Sequence, residues 1–152
     1  MPNTDCTPEL NRYLRRENKK MVDTLIAAIT NREVRDDDYP KVVIACEYGQ
    51  HKAFGHNLDC RSSIKAPVKY VRPLYQALCT FGTPPDRKWN PATGKQIFIG
   101  TCAEDSAANQ VMIATNIATA HYPALKRLVF SQPVRPRNYQ RRKFCDVCKA
   151  IF

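Results

Sequence analysis

The sequence IGTCAE at residues 99–104 decides how this chain is interpreted, together with CDVC at residues 145–148. A catalytic zinc ion takes three ligands from the protein and leaves a fourth position for water, and the cysteines of these stretches supply three thiolates. The glutamate follows the first cysteine by two residues. It therefore lies about 200° around a helix from that cysteine, and the two side chains do not bind a metal from one helix face. The stretches predict a zinc site with a separate carboxylate.

The spacing within the second stretch favours chelation of one ion. Cys145 and Cys148 are three positions apart, so their sulfurs fall on one side of a first helical turn. We expect both cysteine stretches to open helices, whose positive ends would face the metal. Arg141, Arg142 and Lys143 run directly into Cys145, and we hypothesise that their charge compensates that of the three thiolates.

Glu104 is the predicted proton carrier. A carboxylate beside a water on zinc can take its proton and pass it to a ring nitrogen and then to a leaving amine, as deamination of cytosine or adenine requires. Zinc deaminases carry His-x-Glu and Pro-Cys-x-x-Cys, with a three-cysteine variant. Two alternatives stay open, a structural zinc site completed by Cys60 or His56 and a redox Cys-x-x-Cys. The glutamate argues against the first, and a redox motif expects a long helix after it.

These motifs resemble those of a known superfamily. IGTCAE at residues 99–104, the apolar helix predicted after it, LVFSQ at residues 128–132 and CDVC at residues 145–148 are similar to the cytidine deaminase-like superfamily. Within it, the chain resembles the YwqJ-type nucleic-acid deaminases, which occur as C-terminal domains of secreted polymorphic toxins. The likeness covers the C-terminal part of the chain well and the rest only in the order of elements.

The resemblance implies a fold and a set of site residues. The fold is α/β, a mixed β-sheet flanked by helices in a three-layer sandwich. The metal would be zinc, held by Cys102, Cys145 and Cys148, with Glu104 as the proton shuttle. Phe144 stands where the family places a proline, and the chain ends soon after Cys148, so we expect a shortened C-terminal architecture.

The resemblance also implies residues that bind the substrate. Asn57 ends the predicted hairpin, where related deaminases place an asparagine that contacts the nucleoside; the alternative is a turn asparagine. His56 would stack on or hydrogen-bond a base, or else be a surface histidine. Ala103 and Ser131 complete this set. Trp89, in a loop rich in proline, is a candidate base-stacking platform or lid, and the alternative is that it pins the loop to the body of the domain.

The charge of the chain favours a polyanionic partner. There are 24 Lys and Arg against 14 Asp and Glu, a net charge of +10, and phosphate contacts by cations supply most sequence-independent affinity for nucleic acids. Basic residues interleaved with Tyr139 and Phe144 precede the metal ligands, and we predict that they hold a nucleic-acid backbone, with an ordinary exposed loop as the alternative. These residues are Arg135, Arg137, Arg141, Arg142 and Lys143.

The pattern along the chain predicts one domain over residues 1–152. The predicted elements are a helix from Pro8 to about Asn31, a hairpin over 41–48 and 51–57, a helix over 67–81 disturbed by Pro73, a loop over 82–94, a strand over 96–99, a helix over 106–117, a strand over 125–130 and a basic loop over 133–143. Seven cysteines exclude complete disulfide pairing. We expect Cys6, Cys46, Cys60 and Cys79 to be buried or free thiols, Cys46 in the core, and a compartment that keeps thiols reduced.

Together these features predict a zinc-dependent hydrolytic deaminase that converts cytosine to uracil in DNA, with single-stranded DNA favoured. The alternatives are a deaminase of RNA or free nucleotides, and a non-catalytic zinc-stabilised nucleic-acid-binding module. The start of the chain does not resemble a signal peptide, and no apolar stretch approaches the ~18 residues of a membrane span. We expect a monomer that makes no membrane contact, the C-terminal domain of a secreted toxin acting in a target-cell cytoplasm, with an immunity protein as a possible partner.

Overall fold

A computed structural model describes residues 2–32, 39–57, 69–84, 87–90 and 95–152. In chain order its elements are α1 (Pro8–Thr30), β1 (Val43–Tyr48), β2 (His51–His56), α2 (Arg72–Cys79), β3 (Arg87–Asn90), β4 (Lys95–Phe98), α3 (Ala103–Thr119), a 3₁₀ turn (Leu125–Arg127), β5 (Val129–Phe130) and α4 (Asp146–Ile151). Among the described residues, no helix combines the length and apolar character needed to cross a membrane.

The first helix begins and ends where the sequence predicts. Thr7 is its N-cap, and the Thr7 hydroxyl accepts the Leu10 N–H at 3.3 Å. Pro8 occupies the first turn, where a missing N–H costs nothing. The helix ends at Thr30, with Asn31 as its C-cap. The apolar stripe of α1 buries Leu10 and Leu14.

The principal sheet has three strands in the order β2-β1-β5. β1 pairs antiparallel with β2 from Val43↔His56 to Tyr48↔His51, and with β5 through Cys46↔Phe130. An isolated parallel bridge joins Asn3 to Val129. The predicted α/β class is therefore confirmed.

Helices cover both faces of this sheet. Ile44, Cys46 and Ala53 belong to a core that also contains α3 residues, whereas Val43 and Ala45 pack with α1. Successive strand residues point to opposite faces, so the apolar run of β1 supplies both cores, and all its residues from Val43 to Glu47 are buried. The domain is thus layered as α1, sheet and α3.

Gly55 allows α3 to lie directly on β2. A Cβ at this position would clash with the carbonyl oxygen of Ala103 and would lie 2.5 Å from the backbone nitrogen of Ala107. Only glycine permits an approach this close. The first turn of α3 is consequently placed against the end of β2.

Three local predictions are corrected by the structure. The predicted loop over 82–94 contains β3, which pairs with β4 as a separate antiparallel hairpin, because cross-strand pairing can form a strand where the local strand propensity is weak. Residues 125–127 form a 3₁₀ turn, and only Val129–Phe130 pair with β1. Pro73 lies in the first turn of α2, where it suits the helix start instead of disturbing it.

Candidate metal centre

Three cysteine sulfurs converge between α3 and α4. The Sγ atoms of Cys102 and Cys145 are 3.4 Å apart, and the Sγ atoms of Cys102, Cys145 and Cys148 all lie within 4.8 Å of one another. Three thiolates at ~2.3 Å from a tetrahedral zinc ion are about 3.8 Å apart. The cluster therefore has the size and the donor set to hold one metal ion, and it is consistent with zinc.

Each sulfur is positioned by the end of a helix, as the spacing predicts. Cys102 is the N-cap of α3 and Cys145 is the N-cap of α4. The Cys145 sulfur accepts the N–H of Cys148 at 3.3 Å, which closes the turn that places both sulfurs on one side. Cys148 is fully buried, whereas Cys102 and Cys145 are half-buried.

An aromatic cluster holds α4 in place. The ring of Phe130 on β5 contacts Phe152 with centroids 5.0 Å apart and Phe144 in an edge-on arrangement at 6.4 Å. Both partners are buried, Phe152 at 2% exposure and Phe144 at 8%. Phe144, the residue before Cys145, is thus a core side chain. Ile151 and Phe152 also pack in the core, and these contacts hold α4 with Cys145 and Cys148 in place.

The three thiols share their ionisation. Hydrogen bonds from Cys102 and then Cys148 lower the pKa of Cys145 to about 3. The hydrogen bond to Cys145 raises the pKa of Cys102, and the hydrogen bond to Cys102 raises that of Cys148. One thiolate therefore forms readily and the other two resist ionisation until a cation compensates their charge. Because a metal ion binds thiolates, metal binding at this cluster would release the protons of the other two thiols.

Glu104 lies beside the cluster in the first turn of α3. Its side chain is almost completely buried, and desolvation is the main reason why its pKa rises to about 7, with a further contribution from the Cys145 charge. Its carboxyl interacts with Cys148 but is not among the clustered ligand atoms of the described residues. A carboxyl group that is next to the sulfurs without joining them is the arrangement that the motif predicts.

Asp105 is a buried carboxylate that sequence reasoning missed. It is fully buried, and neither carboxylate oxygen has a hydrogen-bond partner among the described residues. Burial and then the neighbouring Glu104 raise its pKa. Its charge acts on Cys102 and on Tyr70, whose hydroxyl donates to the carbonyl of Gly100. The available signal was an acidic residue at the third position of α3, from which a side chain can reach back to the N-cap.

Asn57 has a structural role in this fold. Its side-chain oxygen accepts the N–H groups of Lys41 and Val42, each at 2.8 Å, which supports the turn interpretation; contact with a nucleoside stays a prediction. His56 is paired with Val43, so its side chain is on the sheet face that carries Val43 and α1. The cysteines are on the other face, so His56 is not brought to the metal.

The other predicted substrate residues are also placed by the fold. Ala103 is buried at 1% exposure under β2. Ser131 is fully buried, and its hydroxyl accepts the Ala45 N–H at 2.9 Å, so it ties the chain after β5 to β1. Trp89 lies in β3, and its side chain is outside the described part. Cys60, an alternative fourth ligand, also lies outside the described residues.

The basic segment forms a hairpin along the edge of the sheet. Val134 bridges to Val43 of β1 and to Arg141, and the Arg142 N–H donates to the Pro133 carbonyl at 2.8 Å. We call residues 133–142 the basic hairpin. Arg135, Arg137, Arg141, Arg142 and the following Lys143 are all exposed.

The aromatic residues interleaved with these cations face inward, which corrects the expected mixed basic and aromatic surface. Phe144 is in the core. Tyr139 is half-buried, and the guanidinium carbon of Arg15 lies 4.6 Å from its ring centroid. Burial of the rings provides apolar contact for the hairpin. The exposed surface of the basic hairpin is therefore cationic, and neither Phe144 nor Tyr139 is exposed on it for stacking with a base.

The basic hairpin and the metal centre share one end of the sheet. Val43, at the start of β1, pairs with both Val134 and His56. Gly55, next to His56, lies against Ala103 at the start of α3. The exposed cations are thus presented at the end of the sheet from which the cysteine cluster is built.

Comparison of the chain with protein-family models, with curated proteins and with solved structures gives no match.

Proposed function

We propose that this protein is a zinc-dependent hydrolytic deaminase that converts cytosine to uracil in DNA, with single-stranded DNA favoured. The observation that carries the proposal is the combination of three sulfurs within 4.8 Å of one another and a buried, non-ligand carboxyl group at Glu104 beside them. A zinc site with four protein ligands has no use for such a group, whereas a hydrolytic site needs a base that is close to the metal without binding it.

Each residue of the site has a separate role in the proposed reaction. Cys102, Cys145 and Cys148 hold the ion, which when bound supplies an acidified water for hydrolysis. A Glu104 carboxylate oxygen accepts one proton of the attacking water and delivers it to the ring nitrogen; it then carries the second proton, from the added hydroxyl, to the departing amine, which leaves as ammonia when the C–N bond breaks. Because Glu104 is buried, the proton is transferred to the substrate and not exchanged with bulk water.

Support for a polynucleotide substrate comes from charge. The net charge is +10, and the basic hairpin exposes its cations at the end of the sheet that carries the metal centre. A free nucleoside needs no extended phosphate-binding surface. The choice of cytosine and of DNA, a toxin domain acting in a target-cell cytoplasm and an immunity partner rest on the resemblance alone.

The test compares wild type with Glu104→Gln on a labelled single-stranded oligonucleotide that contains one cytosine. We expect wild type to generate uracil, detected by cleavage after glycosylase treatment, and the variant to lose conversion by at least ~10²-fold while it keeps one zinc ion per chain. Glu9→Gln, which changes an exposed glutamate of α1, is the matched control and retains activity. Conversion by Glu104→Gln at the wild-type rate would refute the proposal.

A non-catalytic zinc-stabilised nucleic-acid-binding module is the second candidate. It is favoured by the structural hydrogen bonds of Asn57 and Ser131, two residues expected at the substrate. Cobalt substitution separates the two functions, because an open site changes its absorption spectrum on addition of azide and a closed four-ligand site does not. Assays with mononucleotides, RNA and DNA then separate the deaminase alternatives.

A further inference from the structure

We propose that Tyr70 and Asn109 are positioning residues of the metal centre, and that together they fix the backbone turn from which Cys102 reaches the ion. The inference rests on the proposed function only in that Cys102 is a metal ligand, and it does not depend on the reaction. It extends the site to residues 69–71, a segment before α2 that the cysteine motifs do not include. We call residues 69–71 the strap.

The side chain of Asn109 holds the strap on α3. Asn109 is buried at 8% exposure. Its Oδ1 accepts the Val71 N–H at 2.8 Å, and its Nδ2 donates to the Lys69 carbonyl at 3.0 Å. The acceptor and the donor of one amide therefore bind the two residues on either side of Tyr70. Two hydrogen bonds from one buried side chain fix both the position and the orientation of the strap.

Tyr70 transmits this restraint to the turn before α3. Its hydroxyl donates to the carbonyl of Gly100, which precedes Cys102 by two residues. Gly100 has a φ of +83, and a Cβ there would lie 2.6 Å from the Tyr70 hydroxyl oxygen and 3.0 Å from its Cζ. The end of the Tyr70 side chain thus lies directly on the Gly100 backbone, an approach that only glycine permits.

The turn that delivers Cys102 is otherwise held from within. The Thr101 N–H donates to the Phe98 carbonyl at 3.3 Å, and the Thr101 hydroxyl donates to the same carbonyl at 2.8 Å. These bonds close the turn on itself, whereas the bond from Tyr70 ties it to another part of the chain. Cys102 then caps α3. A shift of Gly100 therefore displaces the Cys102 sulfur relative to the other two sulfurs.

Metal affinity is sensitive to groups that orient the ligands. Loss of an outer hydrogen-bond partner costs about 10- to 100-fold in metal affinity. The bond from Tyr70 reaches Cys102 through the backbone of Gly100, so we expect the lower end of this range. Because Asn109 acts through Tyr70, its contribution to affinity should depend on the Tyr70 hydroxyl.

The first experiment measures zinc affinity by competition with a chromophoric chelator. Tyr70→Phe removes only the hydroxyl, and we expect it to weaken zinc binding roughly tenfold. Tyr75→Phe is the matched control, because it removes the same atom from a tyrosine of α2 whose hydroxyl interacts with Cys79 of its own helix. Its zinc affinity should stay within ~2-fold of wild type.

A double-mutant cycle tests whether Asn109 acts through Tyr70. Asn109→Ala should weaken zinc binding roughly tenfold in wild type but less than ~2-fold in Tyr70→Phe, since contacts that act in series are not additive. Asn18→Ala is the control for stability. It also removes a buried side-chain hydrogen bond to a backbone carbonyl, but on the other face of the sheet, so zinc affinity should not change.

Cobalt substitution adds a readout that loss of stability alone does not change. The absorption bands of bound Co²⁺ depend on the geometry of its ligands. At saturating cobalt we expect these bands to shift in Tyr70→Phe and to match wild type in Asn18→Ala.

Wild-type zinc affinity in Tyr70→Phe would overturn the inference, and so would unchanged cobalt bands. Equal losses of zinc affinity in Asn109→Ala and Asn18→Ala would also contradict it, because affinity would then simply follow stability. Additive losses in the double-mutant cycle would show that Asn109 does not act through Tyr70. An inactive protein with Tyr70-dependent zinc affinity contradicts the proposed function and leaves this inference standing. An active enzyme whose zinc affinity does not depend on Tyr70 does the reverse.

Discussion

The two faces of the sheet differ in the polar groups that they bury. On the α3 side, Glu104, Asp105 and Asn109 are buried together with the metal centre. On the α1 side, the buried Asn18 donates to the Pro136 carbonyl, the buried Glu47 accepts from the Thr7 hydroxyl, and the cations remain exposed at the rim of a small core. Buried polar groups are costly unless they are paired or functional. Of the buried carboxyl groups, Glu47 is hydrogen-bonded, whereas Asp105 has no hydrogen-bond partner among the described residues. The face with the unpaired carboxyl group is the one that carries the candidate metal centre.

Removing the metal ligands is the strongest way to test the α3 face. Cys148→Ser should abolish stoichiometric zinc binding, because the serine hydroxyl is a poor substitute for a thiolate. A ligand at ~1,000 times its Kd stabilises by about 4 kcal/mol, so we expect chelation to lower the wild-type Tm by roughly 10 °C. Differential scanning fluorimetry with and without chelator measures this shift. In Cys79→Ser, which changes an exposed thiol, the chelator-dependent shift should persist.

The close contact between β2 and α3 gives the next largest effect. Gly55→Ala places a Cβ against the backbone of Ala103 and Ala107, so α3 must move away from the sheet. We expect a loss of about 3 kcal/mol in unfolding free energy and weaker metal binding, because Cys102 moves with the helix. Urea unfolding and zinc competition provide the two measurements. Gly49→Asn is the control, since Gly49 has open space and asparagine tolerates its φ of +60; equal losses would contradict this account.

On the α1 face, removing the link between helix and hairpin should have a smaller effect. Asn18→Ala deletes the buried hydrogen bond to Pro136 and should cost about 1–2 kcal/mol. Zinc stoichiometry should not change, because the metal centre is on the other side of the sheet. Urea unfolding beside zinc titration tests both statements. Asn11→Ala, an exposed change on the same helix, should be close to neutral, and loss of zinc in Asn18→Ala would show that the faces are coupled.

The smallest effect is expected at the start of α1. Thr7→Ala removes the hydroxyl that caps the Leu10 N–H and should cost about 1 kcal/mol. Zinc affinity should match that of wild type, and thermal unfolding with zinc competition tests both points. An unchanged Tm would mean that the cap does not contribute to stability.

Much of the site could be predicted because its determinants are local. The spacing of Cys145 and Cys148 matches one helical turn, and both Cys102 and Cys145 cap helices as expected. Convergence of the three thiols was inferred from the motif and is confirmed by the sulfur distances. Asp105 was missed because neither its hydrophobicity nor its spacing marks a fully buried carboxylate.

The errors arose where pairing between strands decides the conformation of a segment. β3 is formed by its pairing with β4 and not by a strong pattern in residues 82–94. His56 and Asn57 are adjacent in sequence. Pairing of His56 with Val43 of β1 places the His56 side chain on the α1 face of the sheet, whereas the Asn57 side-chain oxygen accepts hydrogen bonds from the backbone N–H groups of Lys41 and Val42. A one-residue change of register reverses every side chain of a strand, so sequence reasoning alone does not assign such residues to a site.

The sequence by itself determined which residues can bind a metal, the helix over residues 8–30 and the excess of positive charge, because helical turns, caps and formal charges depend on near neighbours. Only the tertiary structure decided that Phe144 and Tyr139 face inward, that Ser131 ties β5 to β1, and that Arg15 meets the basic hairpin. These outcomes depend on burial and register between segments far apart in the chain. They set which cations stay exposed at the end of the sheet that carries the three cysteines.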